Sequence, residues 1–94
     1  MFNKTKIIAT IGPSSNNPST INHMIKKGMN VARLNMAHNS DVKDVEKLVN
    51  IIRYESKKID KHVGILMDIA GPKIRIDLSN IEAKQIKIIK NKTY

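Results

Sequence analysis

Cysteine and tryptophan are both absent from this chain of 94 residues. Disulfides and thiolate metal sites are excluded, and nothing in the composition suggests an oxidising compartment. Aromatic residues are limited to Phe2, Tyr54 and Tyr94. A small autonomous domain usually anchors its core on larger side chains, so this scarcity points to a core completed by residues outside the chain. No apolar run approaches the length of a bilayer span, and Met1-Phe2-Asn3-Lys4 lacks the apolar stretch of a secretory signal. The cytoplasm is therefore the expected location, with no membrane partner. Acidic residues are few as well, 8 against 17 Lys and Arg, leaving a net charge of +9. Such an excess favours phosphate esters, nucleic acid or acidic surfaces without choosing among them. What is present is globular in kind, since 27% of residues are charged and 40% hydrophobic. The length suits one small domain or part of a larger one.

The β-rich run from Thr5 to Ile11, closed by Gly12-Pro13, predicts a buried strand ending in a turn. Asn17-Pro18 predicts a helix start, because Asn17 can accept from free N–H groups and Pro18 lacks only an N–H that would go unused there. Ile21, Met24 and Ile25 carry helical spacing, and Gly28 sits where a left-handed stop belongs. A second strand is expected over Asn30–Met36. Ser40 or Asp41 then caps a longer helix whose apolar face is Val42, Val45, Leu48, Val49 and Ile52. Asp41, Asp44 and Glu46 near its start and Lys57 and Lys58 near its end suit the helix dipole. The third strand is Val63–Asp68, broken by Gly71-Pro72. Ile74, Ile76 and Leu78, and then Ile86 and Ile88, alternate with polar residues and predict antiparallel strands. The order is βαβαβ followed by ββ. Its first part implies a parallel sheet with right-handed crossovers, and the architecture changes near residue 75.

In parallel α/β folds, ligands gather at the C-terminal ends of the strands. Three polar clusters fall there. The first strand is followed by Thr10, Gly12, Pro13, Ser14 and Ser15. Arg33, Asn35, His38 and Asn39 follow the second, and Asp68, Gly71, Lys73 and Arg75 the third. Together they would form a cation-rich site with one carboxylate, suited to phosphate or carboxylate ligands. Each residue also has a plainer explanation. Arg33 taken alone suits a surface position, Asn35 a loop bond, His38 a helix start and Asp68 a turn cap. Lys73 and Arg75 suit a solvated basic face. Their collection at one end of the inferred sheet favours the site. His23 and His62 receive no function.

The three clusters, in this order, resemble the opening of the pyruvate kinases. Thr5-Lys-Ile-Ile-Ala-Thr-Ile-Gly-Pro-Ser-Ser15 resembles that family's first strand and loop. Gly28-Met-Asn-Val-Ala-Arg-Leu-Asn-Met-Ala-His38 resembles the second, and Met67-Asp-Ile-Ala-Gly-Pro-Lys-Ile-Arg75 the third. The resemblance covers most of residues 4–76 and weakens from Ile76 onward. It implies an α/β fold, the first three strands and two helices of a (β/α)₈ TIM barrel in residues 1–75. Residues 76–94 would then begin an inserted small β domain. A barrel of this class needs about 250 residues, so the chain is expected to be an N-terminal piece. The family moves a phosphoryl group from phosphoenolpyruvate to ADP, giving pyruvate and ATP. The resemblance implies that Arg33 contacts that phosphoryl group. It implies that Asn35 and Asp68 belong to a monovalent-cation site, and that Pro13, His38 and Arg75 lie towards the nucleotide. The family's catalytic lysine and its Mg2+ ligands come from later strands. The rest of the enzyme chain, and a homotetramer, are the implied protein partners.

Two departures bear on the cation. The family commonly has Ser-His-Gly where this chain has Ala37-His38-Asn39, so a hydroxyl ligand for potassium is missing. Many members have a glutamate after Gly-Pro, where this chain has Lys73. Ile69, Ala70 and Ile76 also replace polar residues of many potassium-dependent members. A potassium requirement is therefore not expected, Lys73 standing in for the ion. Two other functions compete: a separate anion- or nucleotide-binding module without catalysis, and a basic nucleic-acid-binding protein. The second lacks the interleaved aromatics that stack bases, so a nucleic-acid partner is not expected.

Overall fold

The computed structural model describes residues 4–37, 41–75 and 87–93. Its elements are β1 (Ile7–Ile11), α1 (Pro18–Lys26), β2 (Met29–Asn35), α2 (Val42–Ile59) and β3 (Gly64–Asp68). The strands form one parallel sheet in the order β1-β2-β3. Sequential order and right-handed crossovers put both helices on the same face. This βαβαβ arrangement is the N-terminal part of a TIM barrel.

Local chemistry explains where the helices begin. Asn17 Oδ1 accepts from the Thr20 N–H at 2.9 Å, with Pro18 in the first turn. Asp41, one of the two expected caps, accepts from the Lys43 N–H at 2.9 Å. Each cap satisfies a donor that has no partner within its helix. Gly28 has φ 114°, the left-handed conformation expected after α1. α2 stops at Asp60, itself left-handed, with Lys57 and Lys58 in its last turn. Positive charge there suits the carbonyl end of the helix dipole.

The core lies between the helices and one sheet face. Ile21 and Ile25 of α1, Ile52 of α2, and Ala32 and Leu34 of β2 are inaccessible to solvent, with Ile11, Val45 and Val63 nearly so. Each fully buried Leu or Ile stabilises by about 1.5–3 kcal/mol. Two polar bonds brace the packing. Asn22 Nδ2 of α1 donates to Glu55 of α2 at 2.5 Å, and Arg53 Nη1 donates to the Val63 carbonyl at 2.8 Å.

Register assigns the opposite face. Ile8 pairs with Val31, Thr10 with Arg33, Val31 with Gly64, Arg33 with Leu66 and Asn35 with Asp68. These residues point away from the helices, and no described element covers them. This corrects the expectation of a buried first strand. Of β1 only Ile11 is buried: Ile8 and Thr10 face the bare side of the sheet, and Ile7, at the strand's first residue, is exposed as well. Val42 also departs from expectation, being 78% exposed at the first residue of α2. Residues 71–75 and 87–93 form no strand. The expected antiparallel strands otherwise lie outside the described residues.

Candidate functional site at the strand ends

β2 is the central strand, so side chains on its open face have neighbours on both sides. Arg33 uses both. Its Nη1 donates to Thr10 Oγ1 of β1 at 3.0 Å, and its Nε donates to Asp68 Oδ2 of β3 at 3.0 Å. Nη2 donates to the same carboxylate oxygen. One guanidinium thereby ties the three strands together near their C-terminal ends. The ion pair is half-buried, with the Arg33 side chain 33% and the Asp68 side chain 44% exposed. It retains access to a ligand from the uncovered side.

The loops beside this pair are ordered by their own polar groups. Ser15 closes the turn after β1: its N–H donates to the Gly12 carbonyl at 2.9 Å, and its Oγ accepts from the Gly12 N–H at 2.9 Å. Pro13 is held inside that turn. Asn35 Oδ1 accepts from the Ala37 N–H at 3.1 Å, bending the chain directly after β2. The Met36 N–H donates to the Asp68 carbonyl at 3.0 Å, carrying the β2–β3 pairing one residue past the end of β2. A cleft of about 760 Å³ opens between the β1–α1 turn and the first turns of α2. Thr10, Gly12, Pro13, Asn16, Asn35, Asp44 and Lys47 line it.

The expected site residues therefore divide into groups. Arg33 and Asp68 are in direct contact, and Asn35 is the register partner of Asp68. Pro13 borders the adjoining cleft together with Asn35. Lys73 and Arg75 lie on the exposed segment after β3. His38 lies outside the described residues. The Asp68 carboxylate bonds Arg33 through Oδ2 rather than a backbone N–H of the following turn. The sequence grouped Thr10 with this end of the sheet but gave it no role. The signal for its contact was available only as register, since Thr10 and Arg33 are 23 residues apart. Asn30, whose Oδ1 accepts from the Ile7 N–H at 2.8 Å, and the Asn22–Glu55 pair were not foreseen.

The arrangement fixes one guanidinium against one carboxylate and leaves the pair open to the uncovered side. Among the described residues there is no group of three or more His, Asp or Glu able to hold a metal ion. No helix of the described residues is long and apolar enough to cross a membrane.

Comparison with known proteins agrees with this fold. The family model for the barrel domain of pyruvate kinase matches residues 2–94. The pyruvate kinase of Thermoplasma acidophilum is 44% identical over 72 residues, which is 77% of this chain and 12% of that protein. That of Staphylococcus saprophyticus is 47% identical over 72 residues, with the same coverage of 77% and 12%. Among solved structures, the pyruvate kinase of Cryptosporidium parvum superposes with a TM-score of 0.69 at 46% identity, covering 73% of this chain and 14% of that one. The chain thus spans about an eighth of the length of the curated relatives it matches.

Proposed function

The chain belongs to the pyruvate kinase family, and on that premise we propose that it supplies the phosphoryl-binding arginine of an enzyme that transfers phosphoryl from phosphoenolpyruvate to ADP. The observation carrying this reading is Arg33, held between Thr10 and Asp68 on the uncovered face of the sheet. Charge on the moving phosphoryl oxygens calls for fixed cations in a site that excludes water. An arginine already paired on one edge meets that need without having to reorganise. Pro13, His38 and Arg75 lie towards the nucleotide on this reading, and the cleft beside Pro13 leaves room for a ligand there.

The remaining barrel strands complete the site and supply the catalytic lysine and the Mg2+ ligands. The acidic residues described in this chain do not form such a ligand set. Bound magnesium would neutralise phosphate charge. The monovalent-cation site draws on oxygens of Asn35 and Asp68, which are paired in register, so the donor chemistry fits. Lys73 brings positive charge to the same end of the sheet, and on this reading the enzyme works without potassium. Residues 76–94 begin the inserted β domain, and the assembled enzyme is a cytoplasmic homotetramer.

The test is a coupled pyruvate-release assay on a full-length pyruvate kinase carrying this segment. Losing an electrostatic contact to the reacting group costs about 10²–10³ in turnover, and Arg33→Ala is expected to lose that much. Arg33→Lys is also impaired, because a point charge does not reproduce the planar fork. Near-parental turnover of Arg33→Ala would overturn the assignment.

A further inference from the structure

Thr10 lies directly opposite Arg33 in the β1–β2 register, on the uncovered face. Arginine carries five N–H donors in a planar fork and no acceptor. Asp68 Oδ2 receives two of them, one from Nε and one from Nη2. Thr10 Oγ1 receives a third, from Nη1. One N–H therefore remains on each terminal nitrogen. Both bonds to Asp68 converge on a single oxygen atom, so that carboxylate alone allows the guanidinium plane to swing. The bond to Thr10 comes from the strand on the other side and removes that freedom. Thr10 is itself stiff, as a β-branched residue in a strand. Its oxygen is also neutral, so it orients the cation without adding a second negative charge that would repel an anionic ligand.

We propose that Thr10 is a positioning residue for Arg33, holding the two remaining N–H groups towards the phosphoryl group of the substrate. The inference rests on the proposed contact between Arg33 and that group. It predicts a role for the Thr10 hydroxyl that shape alone cannot replace.

The experiment uses a full-length pyruvate kinase carrying this segment, with Thr10→Val, Thr10→Ser, Arg33→Ala and the double variant Thr10→Val with Arg33→Ala. Valine keeps the size and branching of threonine but lacks the oxygen. A hydrogen bond to a charged group is worth a factor of about 10–100, and kcat/KM for phosphoenolpyruvate is expected to fall by that factor in Thr10→Val. The cooperative thermal melt of Thr10→Val stays at the parental temperature, which separates positioning of Arg33 from general damage to the fold. Thr10→Ser retains the oxygen and recovers most of the activity. The double variant is no worse than Arg33→Ala alone, because Thr10 acts through Arg33. Parental activity in Thr10→Val, or losses that multiply in the double variant, would overturn the proposal. If Arg33→Ala is crippled while Thr10→Val is not, only the role of Thr10 fails. If Arg33→Ala is itself active, the reading of Arg33 fails first. Should Thr10→Val lose its cooperative melt, Thr10→Ala takes its place with the same expected loss and the same overturning result.

Discussion

The uncovered sheet face should make the 94-residue chain associate with itself, and Ile8→Lys should weaken that association. Ile8 is 59% exposed and Leu66 is 41% exposed on this face, and among the described residues β1 and β3 each leave one edge unpaired. A closed barrel removes such edges, whereas an open sheet presents them to any second copy. Burying the rest of Ile8 in an association would contribute about 1–2 kcal/mol per copy, a part of what full burial of an isoleucine provides. Lysine forfeits that contribution and places a charge on the edge strand. In a twofold-symmetric dimer the loss counts twice, about 2–4 kcal/mol, which raises the dissociation constant by roughly 30-fold to several-hundred-fold. Sedimentation velocity over a concentration series measures the shift. Val42→Lys is the control, because Val42 is exposed at the first residue of α2 and lies away from the open face. A parent chain that sediments as a monodisperse monomer with one sharp thermal melt would refute the reasoning. Equal effects of Ile8→Lys and Val42→Lys would refute the assignment of the interacting face.

Other outcomes follow from individual contacts. Asn17→Ala removes the acceptor of the Thr20 N–H and is expected to destabilise by about 1 kcal/mol in urea titration of the segment within a full-length protein. The 94-residue chain by itself should show no pyruvate release above a tag-only control, since removing groups that act as a unit abolishes most of the rate. Turnover that disappears on Arg33→Ala would contradict this. A full-length enzyme carrying the segment should be active in potassium-free buffer with tetramethylammonium salts, and strong activation by added potassium would contradict the role given to Lys73.

The elements legible in the sequence are those set by short-range chemistry. Asn17 and Asp41 announce themselves as caps, and the spacing of Ile21 and Ile25 marks a face that is indeed buried. Gly28 marks a left-handed residue, but Asp60 adopts the same conformation without any signal of that kind. What the sequence conceals is what each apolar face meets. Val42 shares a helical stripe with Val45 and Val49, yet only the later residues reach the core, because α1 is half as long as α2. Ile8 reads as buried because β-branched runs usually are, and nothing within the run reveals an edge strand with one bare face. Glu55 was invisible for the opposite reason: its charge suggests solvent, while the Asn22 side chain lets it stay buried. The site was legible as a group of residues at one end of the sheet. The bonds within it depend on register, which no local pattern specifies.

Register also gives Asp68 two tasks that bear on each other. As the strand partner of Asn35 it offers oxygen to the proposed cation site, and as the acceptor for Arg33 it fixes the neighbouring guanidinium. Both bonds from Arg33 to Asp68 fall on Oδ2, which leaves Oδ1 as the oxygen that Asp68 would offer to the proposed cation. Asn35 already accepts from the Ala37 N–H through its own oxygen. At position 37 a serine would add a hydroxyl ligand, which the methyl side chain of Ala37 does not supply. Among the described residues, a mobile ion placed here would draw on Asn35 and Asp68 and lie close to the Arg33 charge. A second unit charge 4 Å away is repelled by about 4 kcal/mol at an effective dielectric of 20. A lysine ammonium faces the same repulsion, but its tether spares most of the entropy lost when a free ion is captured. On the proposed reading this is why Lys73 and Ala37 belong together. A site poor in oxygen ligands is a poor trap for potassium but accepts a cation delivered by the backbone. Lys73→Glu alone should therefore lower potassium-free activity, and added potassium should restore it only in part while Ala37 remains.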